Sequence, residues 1–190
     1  MYEVEVKVPA DHATVRDRLE AVAADSLGQV VQVDTYYDAP HREFAETDEA
    51  LRIRRESVSG GTVGANPLED GAFESRVTYK GPLLEDESKS REEFETGVDD
   101  GGTMAAVLEH LGFDPAATVR KERERYDLDG YTVTLDAVDD VGEFVEVELD
   151  VDHEEDLEPA REGAYDVLER LDLDPDDQIR TSYLGLLLES

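Results

Sequence analysis

The sequence predicts an α+β fold: about eight mostly antiparallel strands, interrupted by helices, that curl with their polar faces turned inward around a charged tunnel. Three observations predict it. Apolar and polar residues alternate with a period of two over about eight segments bounded by turn residues, and segments of helical period fall between and after them. The cations, scarce in the chain as a whole, gather on the polar faces of those strands. Neither an internal repeat nor a linker between two cores is visible, so residues 1–190 are expected to form a single domain.

Residues 2 to 8 (YEVEVKV) alternate strictly, with Tyr2, Val4, Val6 and Val8 on one face of a strand and Glu3, Glu5 and Lys7 on the other, until Pro9 stops it. Asp11 is placed to cap a helix whose apolar positions Val15, Leu19 and Val22 recur at one-turn spacing. Strands follow through VVQVDTYYD (30 to 38) and LRIRRESV (51 to 58), with a polar, turn-rich stretch between them. The Gly-rich segment SGGTVGANPLEDG (59 to 71) reads as a mobile loop. FESRVTYK (73 to 80) and SREEFETGV (90 to 98) restore the alternation, and a short helix then carries Met104, Val107, Leu108 and Leu111 on one face before Gly112.

Asp129-Gly130, between RKERERYDL and YTVTLDAV, is a strong hairpin signal because both residues tolerate the positive φ of a two-residue turn. EFVEVELDV (143 to 151) supplies the last strand. Two helices close the chain, one with Ala164, Val167, Leu168 and Leu171, the other opened by Asp174-Pro175 and carrying Ile179, Tyr183, Leu186 and Leu187. With Leu184 and Leu188 added, that last helix is apolar on more than one face, so it is either deeply buried or paired with a second copy.

Fifty acidic residues against 18 basic ones give a net charge of −32. Such a surface excludes nucleic acid and anionic membrane as partners of the outer face. It suits a cytoplasm of molar salt, where screening removes most of the self-repulsion, so a halophile's cytoplasmic protein is expected. Only four of the bases are lysines: Lys7, Lys80, Lys89 and Lys121. The absence of cysteine excludes disulfides, thiolate metal sites and a Cys nucleophile. The first residues form no basic-then-apolar leader and no run approaches 18 apolar residues, so a soluble, non-exported protein is expected.

When each strand is set in the phase that joins its apolar residues, the opposite faces carry Glu3, Glu5, Lys7, Arg52, Arg54, Glu74, Arg76, Lys80, Arg91, Glu93, Glu95, Lys121, Arg123, Arg125, Asp136, Glu146, Glu148 and Asp150. That set holds nine bases and nine acids, which leaves nine bases against 41 acids elsewhere. An ordinary antiparallel sheet with one solvated face also alternates, and it is the alternative reading. It does not require this segregation of charge, whereas a wet lumen does: enclosed charges must be paired or must hold ions and ligands. The strand at 119 to 126 is polar on both faces; Lys121, Arg123 and Arg125 are assigned inward because Val119 begins their row. Tyr36 and Tyr37 straddle the sheet, one toward the lumen mouth and one toward the core, with ordinary packing the favoured reading for both, and the four histidines lack metal-ligand spacing.

Glu3-Val4-Glu5-Val6-Lys7 resembles the N-terminal ExExK motif of the CYTH superfamily, the triphosphate tunnel enzymes. DTYYDAPHREFAETDEALRIRR, VTYKGP, SREEFE, LGFDP, VRKERERYDL, TLDAVDDVGEFVEVELD and SYLGLLLE resemble, in order, the blocks of its class IV adenylyl cyclase branch. The resemblance covers nearly the whole chain. It implies a closed eight-stranded antiparallel barrel with helices outside, whose tunnel binds a nucleoside or inorganic triphosphate with Mg²⁺ or Mn²⁺. It further implies metal carboxylates at Glu3, Glu5, Asp136, Glu146 and Glu148, and phosphate contacts from Lys7, Arg52, Arg54, Lys80, Arg91, Lys121 and Arg123. Of these, Glu3, Glu5, Lys7, Lys80, Lys121 and Arg123 are the expected catalytic set, and a homodimer is the expected assembly.

Such a cradle stabilises charge spreading over phosphoryl oxygens while metal ions align nucleophile and leaving group. It serves two reactions: attack of a ribose 3′-hydroxyl on the α-phosphorus of ATP, giving cyclic AMP and pyrophosphate, or attack of water on a terminal phosphorus. The cyclase leads on the resemblance; an inorganic or thiamine triphosphatase and a non-catalytic polyphosphate-binding module are the alternatives.

Overall fold

The computed structural model describes residues 1–57, 73–84 and 88–189, so the loop expected at 59 to 71 lies outside the described residues. Eight strands, β1 (Tyr2–Pro9), β2 (Asp25–Asp38), β3 (Ala50–Ser57), β4 (Phe73–Leu83), β5 (Lys89–Val98), β6 (Asp114–Leu128), β7 (Tyr131–Val138) and β8 (Gly142–Val151), alternate with helices α1 (His12–Ala21), α2 (Phe44–Thr47), α3 (Gly101–His110), α4 (Leu157–Arg170) and α5 (Tyr183–Glu189). The strands pair antiparallel in the order β1-β5-β4-β3-β2-β6-β7-β8, and β8 pairs with β1 to close the barrel. Closure satisfies the outer N–H and C=O groups of what would otherwise be two edge strands.

Local chemistry sets the connections. The Asp11 carboxylate accepts a hydrogen bond from the Thr14 N–H (2.9 Å) and so starts α1 where the chain leaves β1. Asp129 and Gly130 both have positive φ (56° and 85°), the geometry that matches a two-residue turn to the twist of β6 and β7. The apolar strand faces point outward. Val6, Val8, Val133, Leu135, Val145 and Val147 pack under Val15 and Leu19 of α1 and Ala164, Val167 and Leu168 of α4, with every one of these side chains nearly inaccessible to solvent. The core therefore lies between barrel and helices, and the polar faces are left for the interior. Leu168 is wholly buried in that layer. Leu168→Ala is expected to destabilise the protein by about 3 kcal/mol, the loss of transfer energy plus the cavity left behind, measurable by denaturant unfolding.

Four expected elements differ in the structure. Strands β2 and β6 are longer than alternation suggests because they pair with each other from Asp25↔Asp127 to Asp38↔Asp114; their partner, not their own pattern, holds the extra residues extended. Helix α3 buries only part of its apolar face: Leu108 packs on Tyr37 and Ile53, while Val107 and Leu111 remain exposed. The helix expected after Asp174-Pro175 is divided. Asp174 caps only one 3-10 turn, Pro175–Asp177; the Ile179 N–H then bonds to the Lys7 carbonyl (2.7 Å), and α5 begins at Tyr183. That bond fastens the chain beside the end of β1 and aims α5 at one end of the barrel. There Tyr183, Leu184, Leu186 and Leu187 pack with Tyr36, Val119, Val138 and Phe144, and Leu188 faces solvent. Among the described residues, no helix is long and apolar enough to cross a membrane.

Candidate functional site

The barrel encloses a cavity of about 220 Å³. Glu3, Glu5, Lys7, Arg52, Arg54, Lys80, Arg91, Lys121, Arg123, Glu146 and Glu148 all line it, so eleven of the twelve site residues expected from the sequence meet in one place. All four lysines of the chain line this cavity, although the outer surface of so acidic a protein offers many sites for them. The polar row of β6 is settled: Lys121 and Arg123 are buried inside, while Glu124 on the other face accepts hydrogen bonds from Arg16 of α1. Arg125 lies further along the lumen face, 3.6 Å from Glu56.

Arg123 is the centre of the ion network. Its guanidinium donates to both oxygens of Asp136 (2.6 and 2.5 Å) and also to Glu146. Asp136, the twelfth expected residue, stands behind the cavity wall with no exposure; besides the Arg123 fork it accepts from the Tyr183 hydroxyl (3.0 Å) and lies 3.6 Å from the Lys121 ammonium. Its observed contacts are those of a group that aligns cations. Burial acts to raise the Glu146 carboxyl, but Arg123, Lys121 and Lys7 hold it well below the usual carboxylate range. Across the barrel, Arg54 donates to both oxygens of Asp34 (2.7 Å each) and Arg52 contacts the same carboxylate. Lys80 lies between Glu3 and Glu93. At the end nearest α2, Arg91 (2.7 Å) and Lys89 (3.6 Å) both face the Asp48 carboxylate.

Glu5 and Glu148 behave differently. They are direct cross-strand partners on β1 and β8, both facing the lumen. Like charges opposed in this way destabilise a sheet. Among the described residues Glu5 has no ion pair or hydrogen bond, and the only cation near Glu148 is Arg123 at 3.9 Å. Burial, reinforced by Glu3, Glu146 and Glu5 against the pull of Arg123, pushes the Glu148 carboxyl up to about 7. No group of three or more His, Cys, Asp or Glu side chains converges as a ready-made cage among the described residues. The opposed pair nevertheless fits a hard divalent cation: its carboxylate oxygens are the donors that Mg²⁺ and Mn²⁺ prefer, and Mg²⁺ usually needs only one or two carboxylates beside water and substrate phosphates.

The lysines are tuned by their surroundings. Burial, aided by neighbouring Arg123, pulls the Lys121 ammonium down to about 8, and burial with Arg91 and Lys7 nearby lowers Lys89 as well. Above pH 8 Lys121 is therefore largely neutral in the free protein, and an arriving polyanion returns its proton. Binding of inorganic tripolyphosphate at pH 9 without metal is expected to take up protons; calorimetry in two buffers of different ionisation enthalpy reads this, and equal heats would refute it.

Sequence reasoning missed several residues of the cavity. Lys89, Asp48, Glu49 and Tyr183 line it, and Asp34 braces two of its arginines; of the Tyr36-Tyr37 pair expected to straddle the sheet, Tyr36 is the one on the lumen side. Lys89 shares its phase with Arg91, so extending β5 by one residue would have found it; Asp34 likewise shares a phase with Tyr36. Tyr183 and Asp48 carried no such signal, since they come from a helix and from a loop.

A family model described as the CYTH domain matches residues 1–183. The chain is 35% identical, over 98% of both proteins, to a protein of Methanocaldococcus jannaschii whose name reads "Putative adenylate cyclase". It is 34% identical to a Pyrococcus horikoshii OT3 protein of solved structure, with 98% of each chain covered and a TM-score of 0.86. A Hippeastrum structure, titled as a "putative adenylyl cyclase" that reveals a dominant triphosphatase activity, superposes with a TM-score of 0.62 over 99% of this chain and 95% of its own; at 16% identity that likeness shows the fold.

Proposed function

From the premise that this chain belongs to the CYTH family, whose members act on triphosphates with divalent metal, we propose that it is a metal-dependent triphosphate-processing enzyme whose principal reaction is hydrolysis of the terminal phosphoryl group. The observation that carries the reading is the composition of the cavity: two mutually repelling carboxylates, Glu5 and Glu148, face a wall of buried Lys and Arg in one enclosed space. Lys7, Arg52, Arg54, Lys80, Lys89, Arg91, Lys121 and Arg123 would hold the phosphate chain. Glu5 and Glu148 would hold the metal, with Glu3 and Glu146 beside them; the bound ion would supply Lewis-acid polarisation of a phosphoryl oxygen. The cations neutralise the charge that spreads over the phosphoryl oxygens as the bond to phosphorus breaks, which is most of what such catalysis requires of a protein.

Hydrolysis is preferred to cyclisation because of what the lining offers. A cyclase must fix a nucleoside with its 3′-hydroxyl at the α-phosphorus. Sixteen of the 21 lining residues are Lys, Arg, Asp or Glu, and the only aromatic side chains among them are Tyr36 and Tyr183. A cavity of about 220 Å³ is also below the roughly 300–1,000 Å³ of pockets for drug-sized ligands, which suits a phosphate chain. The cyclase remains the second reading, favoured by the name of the 35% identical relative. Incubation with ATP and with inorganic tripolyphosphate, each with Mg²⁺ or Mn²⁺ in high salt, separates the two. Phosphate release from tripolyphosphate supports hydrolysis; cyclic AMP and pyrophosphate from ATP, with tripolyphosphate untouched, would replace it by the cyclase.

A further inference from the structure

We propose that Tyr183 is a positioning residue that holds the Lys7 and Lys121 ammonium groups ready for the phosphate chain without using their hydrogen-bond donors; this rests on the reading of the cavity as a triphosphate site. Lys7 is almost wholly buried, yet among the described residues its ammonium has neither an ion pair nor a hydrogen bond. Its cross-strand partner Glu146 is committed to Arg123. What the Lys7 ammonium does meet is the face of Tyr183, 4.2 Å from the ring centroid, and the Lys121 ammonium lies 5.1 Å from the same centroid. Both distances are within cation–π range, where the attraction grows as the pair is desolvated.

The choice of a ring has a chemical consequence. Lys121 already faces Asp136 on one side at 3.6 Å, beyond hydrogen-bond length; a second carboxylate placed between the two lysines would neutralise both and engage their N–H groups, and an incoming phosphate would have to displace it. The quadrupole of a tyrosine ring stabilises the ammoniums and leaves their N–H donors available. The ring is itself fixed at two points. Its hydroxyl donates to Asp136 (3.0 Å), which Arg123 holds in place, and the Phe144 ring packs against it at 5.3 Å between centroids. Tyr183 is the first residue of α5, delivered to the barrel end by the Ile179-to-Lys7 backbone bond. The cradle formed by β1 and β6 is therefore completed from the last elements of the chain.

Affinity for inorganic tripolyphosphate, measured without metal in high salt, tests this with Tyr183→Phe and Tyr183→Leu. Phe keeps the ring and should bind within about threefold of the parent chain; Leu keeps apolar bulk but has no quadrupole and should bind roughly tenfold more weakly or worse. Because every lysine lines the cavity, labelling by an amine reagent followed by mass spectrometry reports the same arrangement directly: Leu should raise the labelling of Lys7 and Lys121, Phe should not, and a purely structural role would move neither selectively. Tyr183→Met serves the same comparison should the Leu variant not fold. If Leu or Met binds as tightly as the parent with unchanged labelling, or if Phe loses as much as Leu, the positioning role is overturned while the cavity's function stands. If the parent chain itself does not bind tripolyphosphate, the reading of the cavity fails first.

Discussion

Replacing Glu5 and Glu148 together by Gln is expected to lower metal-dependent turnover by about 10³-fold or more, while triphosphate affinity without metal stays level or rises. The two carboxylates oppose each other across β1 and β8, and the cations of the cavity are largely engaged by other acids: Lys80 by Glu3 and Glu93, Arg123 by Asp136 and Glu146, Arg54 by Asp34. A divalent ion relieves that repulsion, and its loss removes several kcal/mol of transition-state stabilisation at about 1.4 kcal/mol per tenfold in rate. Removing two negative charges also makes the lumen more attractive to a polyanion.

The same substitution should not weaken the fold. An opposed like-charge pair costs up to about 1 kcal/mol, so the double variant is expected to melt about 2–4 °C higher in metal-free buffer at neutral pH or above. The sign follows from Glu148. Its folded-state carboxyl is raised to about 7, so the folded protein binds more protons than the unfolded chain between the ordinary glutamate range and pH 7, and the parent loses stability as pH rises through that window. The advantage of the variant should therefore grow from pH 5 to 8, and added Mg²⁺ or Mn²⁺ should reverse it by stabilising only the parent. Thermal melts across pH, with and without metal, read all of this; a variant that melts lower than the parent at pH 8, or that keeps its turnover, would overturn the assignment.

Arg123 presents the opposite case, a residue on which fold and site both depend. Arg123→Met leaves Asp136 and Glu146 buried without their main cation, and breaking a buried ion network from one side costs about 3–5 kcal/mol. For a domain of this size that is a fall of about 6–20 °C in melting temperature. Arg123→Lys keeps the charge but not the planar fork that meets both Asp136 oxygens, so it should recover only part of the loss. Asp136→Asn in the Met background should be less damaging than either substitution's effect added to the other, because the two groups share one interaction. A double-mutant cycle by chemical denaturation checks this; strict additivity would show that the network is not a unit.

The alternation of β1, β7 and β8 and the Asp129-Gly130 turn were legible as sequence because each depends on residues close in the chain: a strand with one dry face must alternate, and a two-residue hairpin needs two residues at positive φ. The inward rows could be read for the same reason, down to Glu3, Glu5 and Lys7 on one strand and Glu146 and Glu148 on another. The long pairing of β2 with β6 could not, since Asp25 and Asp114 are strand residues only by virtue of partners 102 and 76 positions away, Asp127 and Asp38. The division of the last predicted helix was hidden likewise, because its cause is a hydrogen bond from Ile179 to Lys7 at the other end of the chain.

By itself, then, the sequence determined the strand faces and the sign and segregation of their charges, which favoured a polar interior over a merely solvated sheet face, because side-chain period and net charge are properties of the chain alone. Only the tertiary structure decided which charges neutralise one another. It set Arg123 against Asp136 and Glu146, left Glu5 and Glu148 opposed, and brought Tyr183 under Lys7 and Lys121. Coulomb and cation–π energies depend on separations of a few ångströms between groups remote in sequence, and those separations exist only once the barrel has closed.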